Sequence, residues 1–164
     1  MQYVIFFLLI LNSLIAKGQN YILPEGEFMD TISTHDTKDT NCFISPCNYY
    51  YSFRAKYPKN SASLLNEAHL FLQKKNETYS GSGYITLRFT IDCQGKMTKK
   101  VQVLQTDEQY KNYHFDIAFV NEIYSFLKTL DKWIVAEPLP GKRFSYITFI
   151  TFKIKNGKII NIIP

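Results

Sequence analysis

The sequence predicts an α+β domain in which an antiparallel sheet of three to four strands is packed by two helices. Three observations predict it. Two runs with a two-residue period flank a tight turn between Gly83 and Leu104, two apolar stripes with helical spacing lie on either side of that hairpin, and Arg143 to Ile163 is strongly β-forming.

In the hairpin, Ile85, Leu87, Phe89 and Ile91 alternate with Tyr84, Thr86, Arg88 and Thr90, as a half-buried strand requires. The turn is Asp92-Cys93-Gln94-Gly95: the Asp carboxylate can accept from the backbone two residues on, and Gly takes the positive φ of a reversal. Met97, Val101 and Val103 supply the returning strand's apolar face, interrupted by Lys99.

The first helix is expected from about Ser61 to Lys75, after the bend at Pro58. Leu64, Leu65, Ala68, Phe71 and Leu72 make one stripe, Asn60, Ser61 or Ser63 can cap the start, and Lys74 and Lys75 complement the carbonyl end. His69, at the margin of the stripe, reads as a surface residue. Gln105 to Asn112 is a polar connection. The second helix is expected over roughly Phe115 to Leu130, with Val120, Ile123, Leu127 and Leu130 in line and Phe119 and Phe126 widening the stripe. Trp133 follows, then Glu137-Pro138-Leu139-Pro140-Gly141 as a rigid loop. From Tyr146 to Ile154 both alternating sets are partly apolar, so that strand is covered on each side. Asn156-Gly157 is a two-residue hairpin turn, after which Lys158 to Ile163 can pair back.

Three segments are expected: residues 1–18 a signal peptide, 19–56 an irregular arm, and 57–164 the α+β domain. Val4 to Leu11 is continuously apolar, shorter than a membrane-spanning helix, and Ala16-Lys17-Gly18 has the small-x-small pattern of a cleavage site. Export with cleavage, to the periplasm or outside the cell, leaves no stable membrane anchor. The formal charge of +5 falls to +4 when the single Lys of residues 1–18 is removed. The basic residues are scattered apart from Lys74-Lys75 and Lys99-Lys100, which describes a solvated surface and not a nucleic-acid partner.

An exported chain can keep disulfides. With three cysteines, Cys42 and Cys47 are the favoured pair, closing a small loop around Ser45-Pro46. Zinc held with His35 is the sharper alternative, but the gap is wide and no second Cys pair exists. The tyrosines at 49 to 51 could stack on a sugar or aromatic ligand; covering a core edge is the more economical use. No nucleophile elbow, zinc-spaced His pair or Cys-His arrangement stands in the sequence, so no catalytic, cofactor-binding or metal-binding residue is assigned. The alternative is an exported enzyme with an unrecognised Cys/His or carboxylate site; His114 with Asp116, a close pair, reads as capping. RNA binding is the third reading, since two helices on an antiparallel sheet are similar to the RRM layout. Phe89 would be its platform, yet it shares the apolar face.

Gly83-x-Ile85-x-Leu87-x-Phe89-x-Ile91-Asp92-x-x-Gly95, then Val101-x-Val103, a helix, Trp133 with Ala136, Gly141 and a terminal aromatic strand resemble the C-terminal domain of TonB-like energy-transducer proteins, over about Gly83 to Ile154. The resemblance implies a non-enzymatic periplasmic domain that takes up a short segment of an envelope protein, such as an outer-membrane receptor, as an added strand. It implies Thr148, Phe149, Ile150, Thr151, Phe152 and Lys153 as the receiving edge, and a homodimer is compatible with it. Trp133-Ile134-Val135-Ala136 lacks the Pro many members carry, Tyr57-Pro58 stands farther upstream than usual, and no long Pro-rich spacer is present. The expectation is thus a binding domain without the force-transmitting parts, whose last strand, Lys158 to Ile163, can itself occupy the edge.

Overall fold

The computed structural model describes residues 42–43, 48–74 and 77–164. The expected signal peptide, residues 19–41 of the expected arm, and Cys47 lie outside them. Along the chain run β1 (Cys42–Phe43), a 3-10 turn (Tyr50–Phe53), α1 (Ser61–Gln73), β2 (Gly83–Ile91), β3 (Met97–Asp107), α2 (Ile117–Leu127), β4 (Ala136–Leu139), β5 (Lys142–Phe144), β6 (Tyr146–Lys155) and β7 (Lys158–Ile163). The main sheet is antiparallel with strand order β3-β2-β6-β7, and a small second sheet has the order β1-β5-β4.

The β2–β3 turn forms as its residues dictate. Asp92 Oδ1 accepts from the N–H groups of Gln94 and Lys96, both at 2.8 Å, and Gly95 takes φ 76°. A Cβ at Gly95 would also stand 3.0 Å from the Trp133 carbonyl oxygen, so the turn and the tryptophan loop lie against each other. Asp107 repeats the device, accepting from Gln109 and Lys111, and the chain reverses there with Tyr110 at φ 60°. β3 therefore runs past the expected end of the hairpin into the expected polar connection. The reason is Gln105: it is 1 % exposed, and its Oε1 accepts from Phe115 N–H at 2.9 Å, which satisfies the buried amide oxygen while its Nε2 has no partner among the described residues.

Both helices form with the expected faces and shorter ends. Asn60 caps α1 by accepting from Ser63 N–H at 2.9 Å, and Asp116 caps α2 by accepting from Ala118 N–H at 2.7 Å. Leu64 and Ala68 of α1 and Phe119, Val120, Ile123, Phe126 and Leu127 of α2 join Ile85, Leu87, Phe89 and Ile91 in one core with the inner residues of β3, β6 and β7. The loop expected at 137–141 is instead a short hairpin, β4 to β5, in which Glu137 Oε1 accepts from Gly141 N–H at 2.7 Å. Pro138 falls in its irregular stretch, where no ladder bond is lost.

Residues just upstream of the expected domain start at 57 also pack into the core. Ala55 is fully buried, and the Tyr57 ring lies 4.5 Å from that of Trp133. The disulfide is the clearest correction. Cys42 bonds to Cys93 across 51 residues, not to Cys47. β1 lies parallel to β5, with Cys42 opposite Arg143, and the Cys93 sulfur is 3.6 Å from the Arg143 carbonyl oxygen. Tertiary packing thus brings the arm to the hairpin turn, a proximity that spacing along the chain cannot reveal.

Candidate functional site

A sheet offers main-chain groups to a partner only where a strand lacks a neighbour, so the geometry of the borders decides the site. The predicted edge residues Thr148, Phe149, Ile150, Thr151, Phe152 and Lys153 all lie in β6, which is interior. β2 pairs with it from Tyr146 to Ile154 on one side. On the other, β7 pairs with Thr151, Phe152 and Lys153, while upstream the Ile147 N–H donates to the Asn48 carbonyl at 2.7 Å and Ser145 N–H to the Phe43 carbonyl at 3.0 Å. Phe149 stands between these two covers, with the Tyr50 ring edge-on at 5.6 Å. The structure brings the six residues together as a strand but does not leave them at a border. Cys42 lies in β1 of the small second sheet, opposite Arg143, and Cys47 is outside the described residues.

β7 is one border of the sheet. It is six residues long and packs along α1. His69 reaches across to place Nε2 2.7 Å from the Ile159 carbonyl oxygen. Because a carbonyl only accepts, Nε2 carries the proton in this contact. The residue read as a surface histidine thus closes part of the border.

β3 is the other border, eleven residues long. Near its end Tyr113 N–H donates to the Gln105 carbonyl at 3.3 Å, and Asp107 N–H to the Lys111 carbonyl at 2.9 Å, so alternate residues direct both main-chain groups outward. Counting back by twos, Val101 and Val103 present N–H and C=O away from the sheet. Their side chains are fully buried, opposite Phe89 and Leu87. Among the described residues no strand pairs with them on that side. Gln102 and Leu104 turn their main-chain groups inward to β2 and their side chains outward. The sequence contained the signal for this relocation: a hairpin after Asn156-Gly157 fills the far edge and leaves the first hairpin's outer strand as the longer border.

A cleft of about 410 Å³ opens between the end of α1, residues 77–79, α2 and the β6–β7 turn, with His69, Glu77, Tyr79, Phe119, Glu122 and Lys158 on its walls. Tyr79 stacks on Phe119 at 4.5 Å; burial first, then the nearby Glu122 carboxylate, pushes its phenol up to about 12. His69 is already committed to Ile159. Among the described residues no three His, Cys, Asp or Glu side chains are grouped to hold a metal ion, and no helix is long and apolar enough to cross a membrane. Asp116, which stands two residues from His114, serves as a helix cap. Compared with protein-family models, with curated proteins and with solved structures, the chain matches none.

Proposed function

We propose that this chain is an exported, non-enzymatic binding protein of the cell envelope, with a TonB C-terminal-like domain that takes up an extended segment of another envelope protein as an added strand. The receiving edge is β3 and not β6. The observation that carries the reading is the outward pair of main-chain groups on Val101 and Val103, on a long strand at the sheet border. An incoming peptide gains affinity from those N–H and C=O groups and specificity from what its side chains meet beside Gln102 and Leu104, the latter 37 % exposed. The β3-β2-β6 core with a helix between β3 and β6 supports the TonB-like part of the proposal, and β7 accounts for the shift of edge.

Amide hydrogen exchange of the full chain with synthetic peptides from the exported N-terminal segments of outer-membrane receptors tests it. At a peptide concentration ten times the dissociation constant, exchange at Val101 and Val103 slows about tenfold, while Gln102 and Leu104, already bonded to β2, change little. Failure of every such peptide to bind, or binding that leaves those two amides unprotected, ends the reading.

A further inference from the structure

The helices cover one face of the main sheet, and the other face is built from side chains of a different kind. The register sets Tyr84 between Thr106 and Lys153, Thr86 between Leu104 and Thr151, and Arg88 between Gln102 and Phe149. Each of these rows is at least partly open to solvent. At the outward positions of β2, of β3 from Gln102 to Thr106, and of β6 and β7, no Asp or Glu occurs, while Arg88, Lys153, Lys155 and Lys158 are cationic.

Two tyrosine pairs stand at opposite ends of this face. Tyr110 stacks on Tyr84 at 5.1 Å with the rings 8° from parallel, and Tyr51 stacks on Tyr49 at 5.4 Å and 6°. The outer member of each pair is open, Tyr110 at 73 % and Tyr51 at 64 % exposure. Tyr49 is tied to the strand by Arg88, whose Nη2 donates to its hydroxyl at 3.4 Å and whose guanidinium lies 5.9 Å from its ring centre. Tyr84 and Arg88, four residues apart on one strand, are about 13 Å from each other along it. Between the two posts the surface offers hydroxyls, with Thr86 and Thr151 bonded to each other at 2.9 Å.

We infer that this face binds an acidic oligosaccharide, the tyrosines meeting the apolar faces of sugar rings and Arg88 and Lys153 meeting carboxylates. Arg88 is positioned by its bond to Gln102 Oε1 at 2.5 Å and has donors to spare, since a guanidinium carries five N–H groups. A single-stranded nucleic acid is the poorer fit, because a phosphate chain needs a continuous track of cations, whereas Lys155 and Lys158 stand beyond Tyr84 at the β6–β7 turn and only Arg88 and Lys153 lie between the tyrosine pairs. The inference does not rest on strand addition at β3, which uses main-chain groups at the border and not side chains on the face.

Titration of the full chain, followed by calorimetry, tests it with three probes: a galacturonate tetrasaccharide, the neutral galactose tetrasaccharide and short oligo(dT). The acidic sugar binds about tenfold more tightly than the neutral one, as a charge-assisted contact would give. Arg88→Gln removes that preference. Tyr110→Ala and Tyr51→Ala, at exposed positions, each weaken binding about three- to tenfold with unchanged melting curves. Absence of binding, equal binding of the neutral sugar, or tighter binding of oligo(dT) overturns the inference.

Discussion

Tyr146 shows how a single buried group sets the behaviour of this protein in alkali. Its ring is fully buried, and its hydroxyl donates to the Ile134 carbonyl at 2.7 Å. Burial raises its phenol well above the ordinary 10.0, so the folded chain holds that proton where the unfolded chain releases it. Stability from this group is therefore complete below pH 10 and falls as pH rises beyond it, by up to about 1.4 kcal/mol per pH unit. Tyr79 acts in the same direction, between the ordinary 10.0 and about 12. Urea melts at successive pH values above 10 should show a shallower loss for Tyr146→Phe than for the unaltered chain, although the variant starts lower by the missing hydrogen bond. Local chemistry of this scale was readable where it depends on neighbours in sequence. Asp92, Asn60 and Asp116 do what short-range rules assign to them. The partner of Cys42 was not readable, because it is chosen by where β1 docks and not by the length of loop it closes.

At the scale of elements, periodicity located both helices, the hairpin and the β6–β7 ribbon; it missed element ends, the hairpin in the Pro-containing stretch at 137–141, and β1 and the 3-10 turn in the expected irregular arm. Helix stripes and strand alternation are repeated signals, whereas an end depends on one or two groups such as Gln105. β7 is more than a cover for an edge. Ile159 and Ile162 are 3 % and 0 % exposed within the core, and α1 is tied to it through His69. Deleting residues 156–164 removes two buried isoleucines, each costing about 2–5 kcal/mol by analogy with truncation to Ala, which approaches the whole stability of a small domain. The shortened chain should lose its cooperative thermal transition by circular dichroism. A shortened chain that still melted cooperatively and bound peptide along Thr151 to Lys155 would make β7 a dispensable mask. Gly157 fits the same view, since a Cβ there would lie 2.0 Å from the Tyr79 carbonyl oxygen and the ribbon could not sit against residues 79–80.

For the molecule as a whole, the class α+β and the composition of the core were legible, since Ile85, Leu87, Phe89, Ile150 and Phe152 are inside as their alternation requires and Val120 and Ile123 as their helical stripe requires. Which strand stands at the rim was not. Strand order follows from docking between segments far apart in sequence, and alternation is the same for an inner strand as for an outer one. Cys42–Cys93 has a further consequence for the covalent architecture. The bond makes residues 42 to 93 one closed ring that contains α1 and the whole of the central strand β2. A protease that cuts once inside this ring, for instance between α1 and β2, opens it without parting the molecule. On a denaturing gel such a nicked chain should migrate as a single species of full mass, and only added thiol should release two fragments. A Cys42–Cys47 pairing would let them separate without any reductant.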